Sequence, residues 1–314
     1  MPDIIDWQVS AQHNVGFGYS YRANSSYAYL YRFRNFGLTA SGSYPLSRFR
    51  RIELGTNWLN LSKENIEDPT EPSSTKNYLV TESKMVFDNT APGWYGPSQG
   101  TRYSIGIKAT PKLSENTSGF ASLNGDFRQY FTVSQDLLWF AIRGTGGLAF
   151  STNPDQRFYF VGGTDNWINR SFANNTLPFQ EPEDFAFMNY ALPLRGWNVN
   201  ERNGSSFFLM NAELRFPLFR ALLAGPVPVM IQAFQGALFM DIGTAFTKDF
   251  SSKLAMPGDT YKYFYPQSGD LLMSTGIGIR SFLIGLPIRV DIAWRNQYIG
   301  WSEPQWMFSI GGDF

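Results

Sequence analysis

Cysteine is absent from the 314 residues, which excludes disulfide frameworks, thiolate nucleophiles and thiolate metal sites together. Histidine occurs once, as His13. No serine or carboxylate stands at a recognisable catalytic spacing from it, so it reads as structural. Charge excess is also lacking: 26 Lys plus Arg balance 26 Asp plus Glu. A nucleic-acid platform needs a basic surplus, and none exists. Every uninterrupted apolar run falls far short of the roughly 18 residues of a spanning helix. The opening MPDIIDW lacks the basic-then-apolar leader that export requires. With alternation under way by Trp7, the sequence reads as the carboxy-terminal part of a longer protein.

Aromatic residues are abundant: 28 Phe, 16 Tyr and 9 Trp. Hydrophobic residues make up 43%, yet the mean hydropathy is slightly negative. Interleaved apolar and polar residues, rather than blocks of either, produce that combination. Successive side chains of a strand point to opposite faces, and a membrane-spanning strand keeps one face apolar for about ten residues. In 205–218, Phe208, Met210, Ala212, Leu214, Phe216 and Leu218 share a face, opposed by Asn211, Glu213 and Arg215. In 286–295, Leu286, Ile288, Val290, Ile292 and Trp294 oppose Arg289, Asp291 and Arg295. In 233–246, Phe234, Leu238, Met240, Ile242 and Phe246 oppose Gln235, Asp241 and Gly243. In 100–109, Tyr103, Ile105 and Ile107 oppose Arg102, Ser104 and Lys108; in 121–133, Asn124, Asp126 and Arg128 fall on one side. A soluble β-sandwich alternates too. Here the apolar faces carry large residues in nearly every segment, and the polar faces mix both charge signs with Gly and Ser, which suits a wet lumen. The pattern favours an all-β, antiparallel transmembrane β-barrel over a soluble β-protein.

About twelve strand segments are expected, near 5–15, 33–44, 50–61, 77–88, 100–112, 119–133, 137–150, 204–217, 230–246, 270–283, 286–296 and 304–314. Connections near 45–49, 134–136 and 283–286 are short. Those at 62–76, 151–203 and 247–269 are long and polar or irregular. Short turns on the periplasmic side and long extracellular loops are the habit of such barrels. The connections at 89–99 and 218–229 are too long for that rule. The whole of 1–314 reads as one barrel portion, with 151–203 as its long loop.

Four short motifs follow in order: FYFVGGTDN at 158–166, PLRGW at 193–197, NAELRFPL at 211–218 and FMDIG at 239–243. This order resembles the bacterial surface antigen superfamily of BamA- and TamA-like outer-membrane barrels and two-partner secretion transporters. In that family a GG segment and an aliphatic-Arg-Gly-aromatic tetrapeptide share one long extracellular loop that folds back into the lumen. The next strand carries an acidic residue and an Arg before Pro, and the one after it Phe-x-Asp-x-Gly. Leu194-Arg195-Gly196-Trp197 matches the tetrapeptide, Glu213, Arg215 and Pro217 the second pattern, and Phe239, Asp241 and Gly243 the third. The resemblance implies that Arg195 points into the lumen and meets Asp241 first and Glu213 second, with Gly196 turning the loop tip and Phe239 packed against it. The last strand ends at an aromatic residue, with Trp306, Phe308, Ile310 and Phe314 on one face. This is similar to the carboxy-terminal membrane-insertion signal of outer-membrane proteins.

The family's barrels have sixteen strands against about twelve here. The first four would therefore precede this chain, whose first strand would not close on Phe308–Phe314 without strain. The stretch between Gly163 and Arg195 is longer than is usual in the family, and could form an extracellular cap. Residues 35–55 look like barrels that follow a TolB-like β-propeller. The resemblance implies no enzyme activity and no cofactor or metal. Its partners would be outer-membrane lipid, protein substrates and periplasmic assembly partners, with no nucleic acid. Two functions stay open: insertion or translocation of proteins or lipid-linked material, and a passive porin-like or anchoring barrel. Glu181, Glu183 and Asp184 are expected to be solvated loop carboxylates rather than a metal cluster. Gly162-Gly163 lacks the Lys-Ser/Thr of a phosphate loop.

Overall fold

The computed structural model describes residues 5–21, 27–93, 96–135, 137–173, 181–224, 229–247, 270–283, 285–297 and 300–312. Alternating segments pair with their sequence neighbours. The first half contains β1 (Asp6–Tyr21), β2 (Ala28–Pro45), β3 (Arg50–Asn65), β4 (Ser74–Asp88), the two-residue β5 (Ala91–Pro92), β6 (Pro97–Thr110), β7 (Phe120–Ser134) and β8 (Leu138–Ser151). The connection that follows holds β9 (Tyr159–Val161), the helix α1 (Pro182–Phe187), β10 (Asn189–Ala191) and β11 (Arg202–Gly204). The wall then resumes with β12 (Ser206–Ala224), β13 (Val229–Phe246), β14 (Leu272–Leu283), β15 (Leu286–Gln297), the short β16 (Gly300–Trp301) and β17 (Gln305–Ile310). Fourteen strands form one sheet; setting aside the two-residue β5 and β16 leaves twelve wall strands. Each is antiparallel to its neighbours.

The segments stand where the alternation puts them, but several run longer. β1 continues to Tyr21 and β2 begins at Ala28. This also removes the two oversized turns. Ala91 pairs with Gln99, and Gly93 N–H donates to the Gly96 carbonyl at 2.8 Å, so the hairpin closes tightly. The ladder of β12 and β13 runs on to Ala224 opposite Val229. A register shift between Pro217 and Phe219 breaks the strict alternation that sequence reading follows.

The faces separate as the period of two requires. Met210, Leu238, Met240, Ile277, Ile279, Ile105 and Ile107 are exposed on the outer face. Asn211, Glu213, Arg215, Asp241, Arg280, Arg289 and Asp291 are buried on the inner face. That inversion, apolar outside and charged within, is the reverse of a soluble domain and suits a wall whose outer solvent is lipid.

One part of the inner face is not polar. Leu59, Leu61, Tyr78, Val80, Phe207, Leu209 and Leu272 are buried there. They form one cluster with Tyr159, Val161, Leu194 and Trp197 of the β8–β12 connection. Residues of β3, β4, β12 and β14 therefore meet around the same loop, so the sheet curls about it. Within the loop, β10 and β11 flank β9 in a small three-stranded sheet. The lumen here is filled by chain rather than being wet throughout. Among the described residues no ladder joins β1 to β17.

Candidate functional site

The loop first turns at Gly162 and Gly163, with φ of +124° and +89°. A Cβ at Gly162 would lie 2.0 Å from the Asn198 carbonyl oxygen, so glycine is needed for close approach. Gly163 and Leu194 then exchange two main-chain hydrogen bonds, at 3.1 and 2.8 Å. This pairs the glycine segment with the residue before Arg195. From β15, Arg289 Nη2 donates to the Asp165 carbonyl at 2.8 Å and steadies the same turn.

Arg195 is delivered onto the inner face of β12 and β13 and is completely buried. Its Nε and Nη2 each donate to Asp241, at 2.7 Å, as a bidentate fork. Its main-chain N–H donates to the same carboxylate at 3.0 Å. Nη1 donates to Glu213 Oε1. The guanidinium carbon sits 3.6 Å from the centre of the Phe239 ring, a cation–π contact in a dry setting. Burial alone would push the guanidinium down, but the Asp241 and Glu213 carboxylates outweigh it and hold it well above its ordinary pKa. Asp241 and Glu213 meet there because β12 and β13 pair Asn211 with Asp241 and Glu213 with Phe239.

Four further residues, Asn211 and Arg215 within the NAELRFPL motif and Arg280 and Asp291 outside every motif, complete the network. Asn211 Nδ2 donates to Asp241 Oδ1 and to the Pro193 carbonyl. Arg280 Nη2 donates to Glu213 at 3.5 Å, and its Nη1 to Asp291. Arg215 pairs with the second oxygen of Glu213 at 2.7 Å. Among the described residues three guanidiniums, Arg195, Arg215 and Arg280, thus face three carboxylates, Glu213, Asp241 and Asp291. Arg280 and Asp291 carry no motif. Their signal is placement on the polar faces of β14 and β15.

Gly196 has φ +83°, and a Cβ there would approach the Ala293 Cβ to 2.9 Å. Its N–H donates to Met307 sulfur at 3.2 Å, while its carbonyl accepts from Arg295 Nε. Trp197 Nε1 donates to the Met273 carbonyl at 3.2 Å. The four residues Leu194 to Trp197 are thereby fixed to β12, β13, β14, β15 and β17.

A second anchor lies across the lumen. Glu183, on α1, is buried: Lys76 Nζ donates to it at 2.7 Å and the Tyr78 hydroxyl at 2.6 Å. Glu181 meets Lys76 at 3.2 Å. The expectation of solvated carboxylates therefore fails at Glu183. The inward positions of Lys76 and Tyr78 give it partners that lie more than a hundred residues upstream. Among the described residues no group of three His, Asp or Glu is arranged for a metal ion. In the last strand, Trp306, Phe308 and Ile310 are exposed on the outer face and Met307 and Ser309 are buried inside. Phe314 lies outside the described residues.

An antiparallel wall with an apolar exterior, a charged interior and a loop bonded into its lumen defines an outer-membrane-type β-barrel. A family model described as the Omp85 superfamily domain matches residues 2–314, and the chain belongs to that superfamily, in keeping with the motif order above. Among solved structures the chain is similar to BamA from Haemophilus ducreyi lacking POTRA domains 1–3, at 15% identity and a TM-score of 0.59, over 98% of this chain and 59% of that one. It is also similar to CdiB from Escherichia coli, at 11% identity and a TM-score of 0.51, over 99% of this chain and 50% of that one. The chain thus spans between half and three-fifths of those structures, and the likeness is one of fold. No curated protein matches it in sequence.

Proposed function

We propose that this chain is the membrane barrel of a bacterial outer-membrane protein that inserts or translocates proteins, or lipid-linked material, without performing catalysis. The observation that carries this reading is the loop held in the lumen by Arg195, Asp241 and Glu213. A passive pore works by leaving its lumen open to solutes. A lumen crossed by a loop on buried, bidentate ion pairs suits a conduit or insertion device whose interior rearranges during a cycle. Among the described residues no ladder joins β1 to β17, and sheet ends of that kind supply edges for strand addition. On this reading, the loop lock sets the resting state. Outer-membrane lipid surrounds the wall, and protein substrates and periplasmic assembly partners act at the lumen and the edges.

The alternative, a porin-like or anchoring barrel, shares the apolar exterior but needs no lumen lock. Two measurements separate the readings. The full-length protein in planar bilayers is expected to show low resting conductance that rises on Asp241→Asn. Deletion of its gene is expected to deplete specific outer-membrane or surface proteins. Large steady conductance from the unaltered protein, with an unchanged outer-membrane protein content, would favour the passive pore.

A further inference from the structure

The two rims of the wall treat their outward arginines differently. At the rim from which the long β8–β12 connection departs, Arg32 and Arg34 alternate with the buried Tyr31, Phe33 and Asn35, so they point outward. Both meet Glu64, which stands directly across the ladder from Arg32. At the opposite rim, the hairpin between β2 and β3 carries Arg48, Arg50 and Arg51. Arg51 turns inward and pairs with Glu53 at 2.6 Å. Arg50 stands across the ladder from Phe87, and Phe87 from Tyr103. This row lies on the outer face, which it shares with the exposed Met85 and Ile105. Among the described residues neither Arg48 nor Arg50 has a carboxylate partner. The nearest acids in sequence, Glu53 and Asp88, face inward, where Arg51 and Arg102 meet them.

The two guanidiniums are seated on rings instead. The Arg48 guanidinium carbon is 5.4 Å from the centre of the Phe49 ring, and that of Arg50 is 5.7 Å from the Phe87 ring. Phe87 stacks on Tyr103 at 4.9 Å and lies 6.4 Å from Phe49. Leu46 and Phe49 are exposed beside them. The hairpin that carries these groups is tightly bonded. The N–H groups of Leu46 and Ser47 donate to the Arg50 carbonyl at 2.9 and 3.1 Å, and Asp88 N–H donates to the Phe49 carbonyl at 2.9 Å. A guanidinium lying over a ring keeps the donors along its edge available, and their fork matches a phosphate as well as a carboxylate. Aromatic side chains with basic neighbours are the residues that sit at headgroup level in a membrane.

We propose that Arg48 and Arg50 form a site for the phosphate of an anionic phospholipid in the periplasmic leaflet, with Leu46, Phe49 and Phe87 against the first carbons of its acyl chains. At the far rim Glu64 answers the outward positive charge; at this rim the lipid does. An acidic protein segment would match the charge but not the exposed Leu46 and Phe49, on a face that meets acyl chains. The bound headgroup holds the β2–β3 hairpin at one depth in the leaflet. This proposal rests on the reading of the chain as an outer-membrane barrel whose short turns lie on the periplasmic side.

The test uses the full-length protein in nanodiscs of phosphatidylglycerol and phosphatidylcholine in equal parts. After transfer to detergent, native mass spectrometry counts the lipids that stay bound. Phosphatidylglycerol is expected to be retained over phosphatidylcholine, and Arg48→Gln together with Arg50→Gln to lower that preference about fivefold or more. Arg48→Lys with Arg50→Lys keeps the charge but not the fork, so an intermediate loss is expected. Arg34→Gln, at the rim where Glu64 already meets the charge, is expected to change nothing. Heat-modifiable mobility checks that each variant is folded. If the glutamine pair does not fold, the unaltered protein still decides. Amides of residues 47–50 are expected to exchange about threefold or more slowly with phosphatidylglycerol than in phosphatidylcholine alone. Equal retention of the two lipids, or equal exchange in both, would overturn the site. An equal drop on Arg34→Gln would also overturn it, leaving only a general attraction of positive charge. The leaflet is tested separately with Ser47→Cys, in a chain that has no cysteine of its own. A bulky, impermeant maleimide is expected to label it only after the outer membrane is opened. Labelling in intact cells would overturn the orientation on which the proposal rests, whatever the lipid counts show.

Discussion

Asn211 binds wall to loop through a single nitrogen: its Nδ2 donates to the Pro193 carbonyl and to Asp241, each at 2.8 Å. It stands directly across the ladder from Asp241 and is buried. Asn211→Ala is expected to destabilise the locked loop by about 1–3 kcal/mol, since it leaves a buried carbonyl short of a donor. Asn211→Asp is expected to be worse, because it sets a second carboxylate beside Asp241. Heat-modifiable electrophoretic mobility and protease sensitivity of the loop measure both; an Asp variant as stable as the unaltered protein would contradict the arrangement.

The Arg195 pair has no solvent access on either side. Removing Arg195 takes from buried Asp241 its guanidinium fork, and removing Asp241 leaves buried Arg195 with Glu213 as its carboxylate partner. Arg195→Ala and Asp241→Ala are each expected to cost about 3–5 kcal/mol. The double variant is expected to cost much less than their sum. Arg195→Lys is expected to rescue little, since a point charge cannot reproduce the fork or lie flat on Phe239. A double-mutant cycle read by thermal unfolding in detergent checks this, and additive losses would show that the pair is not coupled.

Gly196 offers a test of backbone geometry separate from charge. With φ +83° and a Cβ contact of 2.9 Å to Ala293, Gly196→Ala is expected to cost about 1–3 kcal/mol. Adding Ala293→Gly is expected to relieve the contact but not the backbone strain, so rescue is partial. Full rescue would mean that φ contributes nothing.

At the opposite anchor, Glu183→Gln keeps the shape but removes the charge that Lys76 and Tyr78 bond to. The expected loss is about 1–2 kcal/mol, smaller than at Arg195, with proteolysis rising near α1 and not near Gly196. Equal loosening at both places would show that the anchors act as one.

Local periodicity made the wall legible in the sequence. Phe208, Met210 and Leu214 alternate against Asn211, Glu213 and Arg215, and the ladder places these residues on opposite faces. Arg195 stood out through the order of the motifs it shares with the family, and the period of two set Glu213 and Asp241 on the inward faces of adjacent strands as its partners. Other features were not legible for stated reasons. Strands of three residues such as β9, β10 and β11 carry no measurable period. Glu183 looked solvated because its partners lie on β4, joined to it only by tertiary folding. Leu59, Leu61 and Val80 face inward against the expectation of a polar lumen, because the loop, not water, covers them. Arg280 and Asp291 were visible as inward charges, but nothing local says that they meet.

The loop's two attachments have a mechanical consequence. One end of the span is fixed to β4 by Glu183 and the other to β12 and β13 by Arg195, with Asn169 reaching on to β17. A tie of fixed length across a curved wall acts as the chord of an arc. The wall can widen or flatten only if the chord lengthens or lets go at one end. The partly exposed Lys76 attachment is the weaker of the two, so an outward load would part it first. Widening of this wall is therefore expected to begin at the Lys76–Glu183 attachment and to reach Arg195 afterwards.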